Sequence, residues 1–390
     1  VTQRRPLALL AVLAVVLGVA VQQGTFTPEP DAPGPLPPTE DSGLAIDVLT
    51  DQLDAPWAVA FLPDGRFLVT QRGGTLRLVD ADGGLSAPLS GLPPVAAIGQ
   101  GGLLDVALAP DFATTGALYF TFAEPGDGGL AGTALGTARL VDQRLEDARV
   151  VWRQEPKLPG GQHFGSRVVV ARDGTLFVTT GERDHRAFAQ SLAHTQGKVV
   201  RLAADGSPAA GNPFVADPLA RPEIWSLGHR NIQGAALHPL TGELWLTEHG
   251  PQGGDEVNLS RAGRNYGWPV VCSGREYGGG PINEGLDWVP GVERSLHFWA
   301  PSIAPSGLTF VTADTFPRWK GSLLAGGLAG RVLVRLTLAG DWVVDEERLL
   351  TTLNQRIRDV REGPDGFLYV LTDGAHGQLL RLRPVQPPRR

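Results

Sequence analysis

Pro63-Asp64-Gly65-Arg66-Phe67-Leu68-Val69-Thr70 joins a tight turn to a β-rich strand, and the same phrase returns along the chain. It recurs as Pro110-Asp111 ahead of Ala117-Leu118-Tyr119-Phe120, and as Asp173-Gly174 ahead of Leu176-Phe177-Val178-Thr179. Three more copies run from Pro239 to Thr247, from Pro305 to Val311, and from Pro364-Asp365-Gly366 to Leu371-Thr372. Pro and Gly set the reversal through their backbone preferences, and the alternating strand can bury one face. Several copies lead into a second strand, such as Thr75 to Leu78, Lys198 to Leu202, Val332 to Leu336 and Leu379 to Leu382. Helix-period stretches are nearly absent. Copies spaced by roughly 45 to 65 residues fit a radial array of sheets. The expectation is an all-β fold, a six-bladed β-propeller of four-stranded antiparallel blades, with Leu44 to Leu49 closing the ring on the last blade.

Composition agrees. The 390 residues include 51 Gly, 32 Pro and 9 Trp, with 42% hydrophobic side chains. That is turn-rich and globular, since a disordered chain carries fewer apolar residues and more charge. A net charge of −7 without a basic stripe argues against a nucleic-acid partner. The single cysteine, Cys272, lies in a largely apolar run and reads as a core residue.

Arg4 and Arg5 precede an uncharged apolar run from Leu7 to Val21, in which Gly18-Val19-Ala20 supplies small residues for cleavage. These are the parts of a secretory signal, and about 15 residues fall short of the ~20 that a spanning helix needs. Residues 21–42 hold six Pro and little to bury, as a tether would. The reading is a signal peptide at 1–20, a Pro-rich linker at 21–42 and the propeller at 43–390. It implies a periplasmic or secreted protein with no membrane span in the mature chain, the alternative being an uncleaved N-terminal anchor.

Four segments beside the strands carry groups suited to chemistry. Gly160 to Arg167 sets His163 between glycines, where an imidazole can abstract a proton near neutral pH. Read alone, it is more readily a structural histidine. Gly228-His229-Arg230-Asn231-Ile232-Gln233-Gly234 crowds polar side chains that are costly to bury for packing alone, and an Arg there can stabilise developing negative charge. His229 reads as scaffold. Glu248 to Glu256 combines acids with a Gly-rich loop whose carbonyls suit a hard cation such as calcium, or simply make a solvated turn. Arg356 and Arg358 alternate on one strand face and suit a ligand with several carboxylates, or simply form a solvated basic face. Trp299 offers a ring for stacking or for the core.

Taken together and in order, these segments resemble the soluble aldose (glucose/sorbosone) dehydrogenases that use pyrroloquinoline quinone. The likeness runs from about Leu53 to Asp373 through Pro56-Trp57, Gly99 to Asp105, Asn265-Tyr266-Gly267-Trp268-Pro269 and Trp299 to Gly307, besides the four above. The resemblance implies oxidation of an aldose at C1 to the lactone, with hydride passing to the quinone. It assigns His163 as general base, Glu182 as the acid that orients it (a place an Asp can fill in the family), and Arg230 as the residue that steadies the quinone oxygen. It gives Gln100, Asn231, Arg356 and Arg358 to the cofactor, Gln100 and Trp299 to the substrate, and the carbonyls of Gly250 and Pro251 to calcium. A cytochrome or a quinone would accept the electrons. One departure stands out: a lysine that binds the cofactor in the glucose enzymes is Ala329 here, which removes one carboxylate contact.

Two other readings share the ring. A calcium-dependent sugar-lactone hydrolase would converge several carboxylates and amides on the channel to activate water. A binding propeller would need no reactive group at all.

Overall fold

Five of the six turn phrases join the first two strands of a sheet; the fifth, Pro305 to Val311, is instead the first strand of its own sheet, Pro305–Phe310. In Leu62 to Arg66 the Leu62 N–H donates to the Arg66 carbonyl at 2.8 Å and Gly65 returns a bond to Leu62 at 3.1 Å. The same exchange recurs at Ala171 to Thr175 and at Gly363 to Phe367. Gly65, Gly174 and Gly366 sit at φ 90°, 81° and 76°, a left-handed region that side chains disfavour.

The computed structural model describes residues 43–286 and 288–385. The signal at 1–20 and the linker at 21–42 lie outside the described residues. Among the described residues no helix is long and apolar enough to cross a membrane.

The strands form six antiparallel sheets. Their first strands are Pro56–Phe61, Leu103–Leu108, Gly165–Val170, Ile232–Leu237, Pro305–Phe310 and Ile357–Glu362. These strands pack on one another in cyclic order, the last against the first, and so line a central channel. They define blades 1 to 6 of a six-bladed β-propeller. Leu44–Leu53 pairs with Gly377–Pro384, from Leu44 opposite Pro384 to Val48 opposite Leu380, so the N-terminal strand completes blade 6 and closes the ring. Blade 1 has three regular strands. Its outer edge is an irregular segment held by Ser86 N–H to Leu78 O and Leu89 N–H to Leu76 O.

The core is divided into slabs between neighbouring blades. Leu176 and Val178 enter the cluster shared with blade 2, whereas Phe177 between them enters the one shared with blade 4. Leu244 and Leu246 face blade 3, and Trp245 faces blade 5. Strands expected to bury one face therefore bury both, because each blade is sandwiched by two others.

Two features place the site. All six channel-lining strands carry a register shift near their N-terminal ends, where a bulge re-aims side chains. Mid-channel, Arg167 meets Asp105 at 3.4 Å and Asp359 at 3.1 Å, while Arg361 meets the same acids at 2.6 and 3.0 Å. This neutral quartet ties blades 2, 3 and 6 together beneath the bulged ends.

Candidate active site at the channel mouth

Blade 3 supplies the first reactive group. His163 precedes the channel strand at φ 51°, an unusual conformation for a residue with a side chain. Gly181 permits it: a Cβ there would lie 2.0 Å from the His163 carbonyl oxygen. The His163 N–H donates to Gln100 Oε1 at 2.9 Å. Its Nδ1 meets Glu182 Oε2 at 2.9 Å. An ionised carboxylate only accepts, so Nδ1 carries the ring proton and Nε2 keeps a lone pair. Nε2 has no hydrogen bond among the described residues. Glu182 is fully buried, it takes the Asp184 N–H on the same Oε2, and its Oε1 has no partner.

Blade 4 brings the guanidinium. The Glu182 N–H donates to the Arg230 carbonyl at 2.9 Å, Gly181 bridges Asn231, and the Gly165 N–H donates to Asn231 Oδ1 at 3.1 Å. The His163 loop and Arg230 are thus laced together at one mouth. Arg230 Nη1 donates to the Gly250 carbonyl at 2.8 Å and more weakly to the His249 carbonyl at 3.3 Å. Its buried Nε is unpartnered. Behind it, Asn231 Nδ2 donates to His249 Nδ1 at 3.4 Å, and His249 Nε2 donates to the Pro305 carbonyl at 2.8 Å. Burial first, and the Arg230 charge second, push the His249 imidazole down to about 3, with Arg358 and His163 adding to the effect. His249 stays neutral in a ring of potential cations.

Blade 6 adds the paired arginines. Arg356 Nε and Arg358 Nη2 reach the same oxygen of Asp373, at 3.0 and 3.4 Å. Burial works to raise the Asp373 carboxyl, and the two guanidiniums hold it below its ordinary value. Arg358 also donates to Gln233 Oε1 at 3.3 Å, and its buried Nε is unpartnered. Burial lowers Arg358 to about 10. Asp373 and Gln233 were not expected from the sequence. The first closes the sixth repeat immediately after Thr372, and the second belongs to the polar segment that carries Arg230.

The other expectations fall as follows. Gln100 is exposed at the rim beside His163, and Asn231 is fully buried. The Gly250 carbonyl is aimed at the mouth, Pro251 is buried next to it, and Asp255 Oδ1 takes the Gly250 N–H at 2.9 Å. Ala329 sits exposed on the hairpin after Leu328, whose carbonyl accepts from Arg356 at 3.5 Å. Trp299 departs from expectation. It lies on the outermost strand of blade 4, His297–Trp299. The ring is 3% exposed in the slab shared with blade 5, and Nε1 donates to Glu346 at 2.9 Å. In this structure the Trp299 ring therefore packs in the core, while its backbone carbonyl takes the Gly254 N–H beside the Gly250 loop.

Six blades with reactive side chains gathered at one bulged mouth place the chain among the propeller enzymes. Comparison with known proteins gives the family. Residues 53–381 match the family model described as Glucose / Sorbosone dehydrogenase, and the chain belongs to that family. It is 50% identical over 343 residues to aldose sugar dehydrogenase YliI of Escherichia coli, covering 87% of this chain and 92% of that protein. The apo-form structure of the soluble aldose sugar dehydrogenase from Escherichia coli superposes with a TM-score of 0.85 at 48% identity, over 88% of this chain and 100% of that one. A PQQ-bound aldose sugar dehydrogenase from Streptomyces coelicolor superposes with a TM-score of 0.73 at 28% identity, over 90% and 100%.

Proposed function

We propose that this chain oxidises aldose sugars at C1 to the lactone, with pyrroloquinoline quinone held at the channel mouth together with calcium. The observation that carries the reading is the buried His163–Glu182 pair, with an open Nε2, laced to Arg230.

The residues present fit an anionic planar cofactor. Arg230 and Arg358 each keep a buried, unpartnered Nε, and Arg356 and Arg358 share a single carboxylate oxygen, so guanidinium donors outnumber local acceptors. A ligand with several carboxylates supplies the missing acceptors. Arg230, Asn231, Arg356 and Arg358 would hold it, with Gln100 between cofactor and sugar. The Gly250 and Pro251 carbonyls are the hard-oxygen donors for calcium. Because Arg230 already points at the Gly250 carbonyl, two cations would crowd one oxygen unless an anion joins them. Calcium binding therefore depends on the cofactor.

When bound, the quinone supplies a two-electron acceptor for the C1 hydride. His163 takes the anomeric hydroxyl proton at Nε2, and Glu182 steadies the resulting imidazolium through Nδ1. Arg230 offers positive charge where negative charge develops. The bulged strand ends and the neutral quartet below fix these groups on rigid elements. A lactone hydrolase would need free channel acids, whereas Asp105 and Asp359 are engaged by Arg167 and Arg361. Export by the 1–20 segment, and onward transfer to a cytochrome or quinone, complete the proposal.

Apoprotein reconstituted with calcium and pyrroloquinoline quinone should reduce a dye when given aldoses, and should leave lactones intact without cofactor. Lactone opening by the apoprotein, with no dye reduction after reconstitution, would overturn the assignment.

A further inference from the structure

Asp184 has no part in the proposed reaction, yet its carboxylate stands against the dyad. One ligand atom from each of His163, Glu182 and Asp184 lies within 4.8 Å of the others. Arg183 and Asp184 both adopt left-handed backbone, φ 59° and 62°, in the turn that sets the two carboxylates together. The intervening Arg183 makes no close ion pair with either carboxylate, although its charge acts on Glu182 at longer range. Its guanidinium donates to the carbonyls of Gln162 and Gly160 at 2.8 Å each and stacks 3.8 Å over Phe164. The cluster also contains an unmet demand: Glu182 is fully buried, and its Oε1 has no hydrogen-bond donor. Asp184 is exposed, so an ion can enter from solvent.

We propose that His163, Glu182 and Asp184 bind a divalent transition-metal ion of the zinc class, and that this ion holds the imidazole out of the reaction. One imidazole nitrogen with two carboxylate oxygens is a three-ligand set that zinc completes with water. An imidazole donor suits zinc, cobalt or nickel, whereas calcium and magnesium prefer oxygen shells. The metal takes a ring lone pair. At Nδ1 it binds the other ring tautomer, the proton once shared with Glu182 having moved to Nε2, which then has no lone pair for the sugar proton; at Nε2 it occupies that lone pair directly. Both outcomes remove the base. Binding rests on the cluster's geometry alone, and only the inhibition rests on the function proposed above.

Apoprotein titrated with cobalt(II) tests the site through its visible d–d absorption, with no turnover involved. The expected result is one ion per chain, displaced by zinc and not by excess calcium. Asp184→Ser should weaken binding at least about tenfold, the smaller end of what even an outer-shell change costs, and His163→Gln should remove the spectrum. In the calcium- and quinone-loaded protein, zinc should inhibit sugar oxidation, and Asp184→Ser should lose that inhibition relative to its own zinc-free rate. Equal cobalt affinity in wild type and Asp184→Ser, or displacement by calcium as readily as by zinc, would overturn the site. A loaded protein that oxidises no sugar would count against the function and leave the cobalt result standing.

Discussion

Two His–Glu pairs sit in neighbouring blades, each separated by 19 residues in the chain and each joined through Nδ1, at 2.9 Å for His163–Glu182 and 2.8 Å for His229–Glu248. Their surroundings differ. His229 is fully buried, its Nε2 engages Ser226 Oγ at 2.9 Å, and its ring stacks on Tyr266 at 4.6 Å. Glu248 uses both oxygens, taking Asn258 Nδ2 at 2.9 Å on Oε1 and the Arg230 N–H at 2.8 Å on Oε2. At His163 the far nitrogen is open among the described residues, and Glu182 keeps a bare oxygen. A fully satisfied pair holds Arg230 in place. An incompletely satisfied one, of the same chemistry and spacing, is free to react.

Substitutions can break this distinction. The largest effect is expected from His163→Gln, which should lower the rate of dye reduction by about 10²- to 10⁴-fold, the range of general-base catalysis, with an unchanged urea midpoint. His229→Phe should behave in reverse. It keeps a ring against Tyr266 but strips a partner from buried Glu248, costing about 3 kcal/mol of unfolding free energy while the folded fraction still turns over. If His229→Phe abolishes turnover in fully folded protein, the two pairs are not separable. Gly181→Ala sharpens the comparison with the smallest change. Its Cβ would meet the His163 carbonyl oxygen at 2.0 Å, so the base must move, and a displacement near 1 Å can cost about 100-fold in rate. The decline should appear in kcat of the folded protein, together with a lowered urea midpoint, because the clash is with backbone. An unaltered kcat would mean that the base position tolerates the shift.

Much of the ring was legible because its signals are local. The Pro and Gly of each turn phrase act on the bonds beside them, and the structure repeats the same turn at Gly65, Gly174 and Gly366. Closure by Leu44–Leu53 was legible too, since an unpaired alternating strand before the first repeat needs an edge. Burial on both strand faces was not. A single strand's alternation does not reveal whether a second blade covers its far side, as one does at Phe177. The choice between stacking and core for Trp299 was not legible for a related reason: its motif says which residue is present, and packing between blades says where the ring goes.

The sequence by itself determined six repeats, the closing strand and the short segments that carry His163, Arg230, Arg356 and Arg358, because backbone preference and strand alternation act over a few residues. Only the tertiary structure decided which histidine is open, that Asp373 joins the two arginines, and that Arg361 meets Asp105 across 256 residues of chain. Whether a buried polar atom is satisfied depends on partners delivered by other blades, and those partners exist only once the ring has closed.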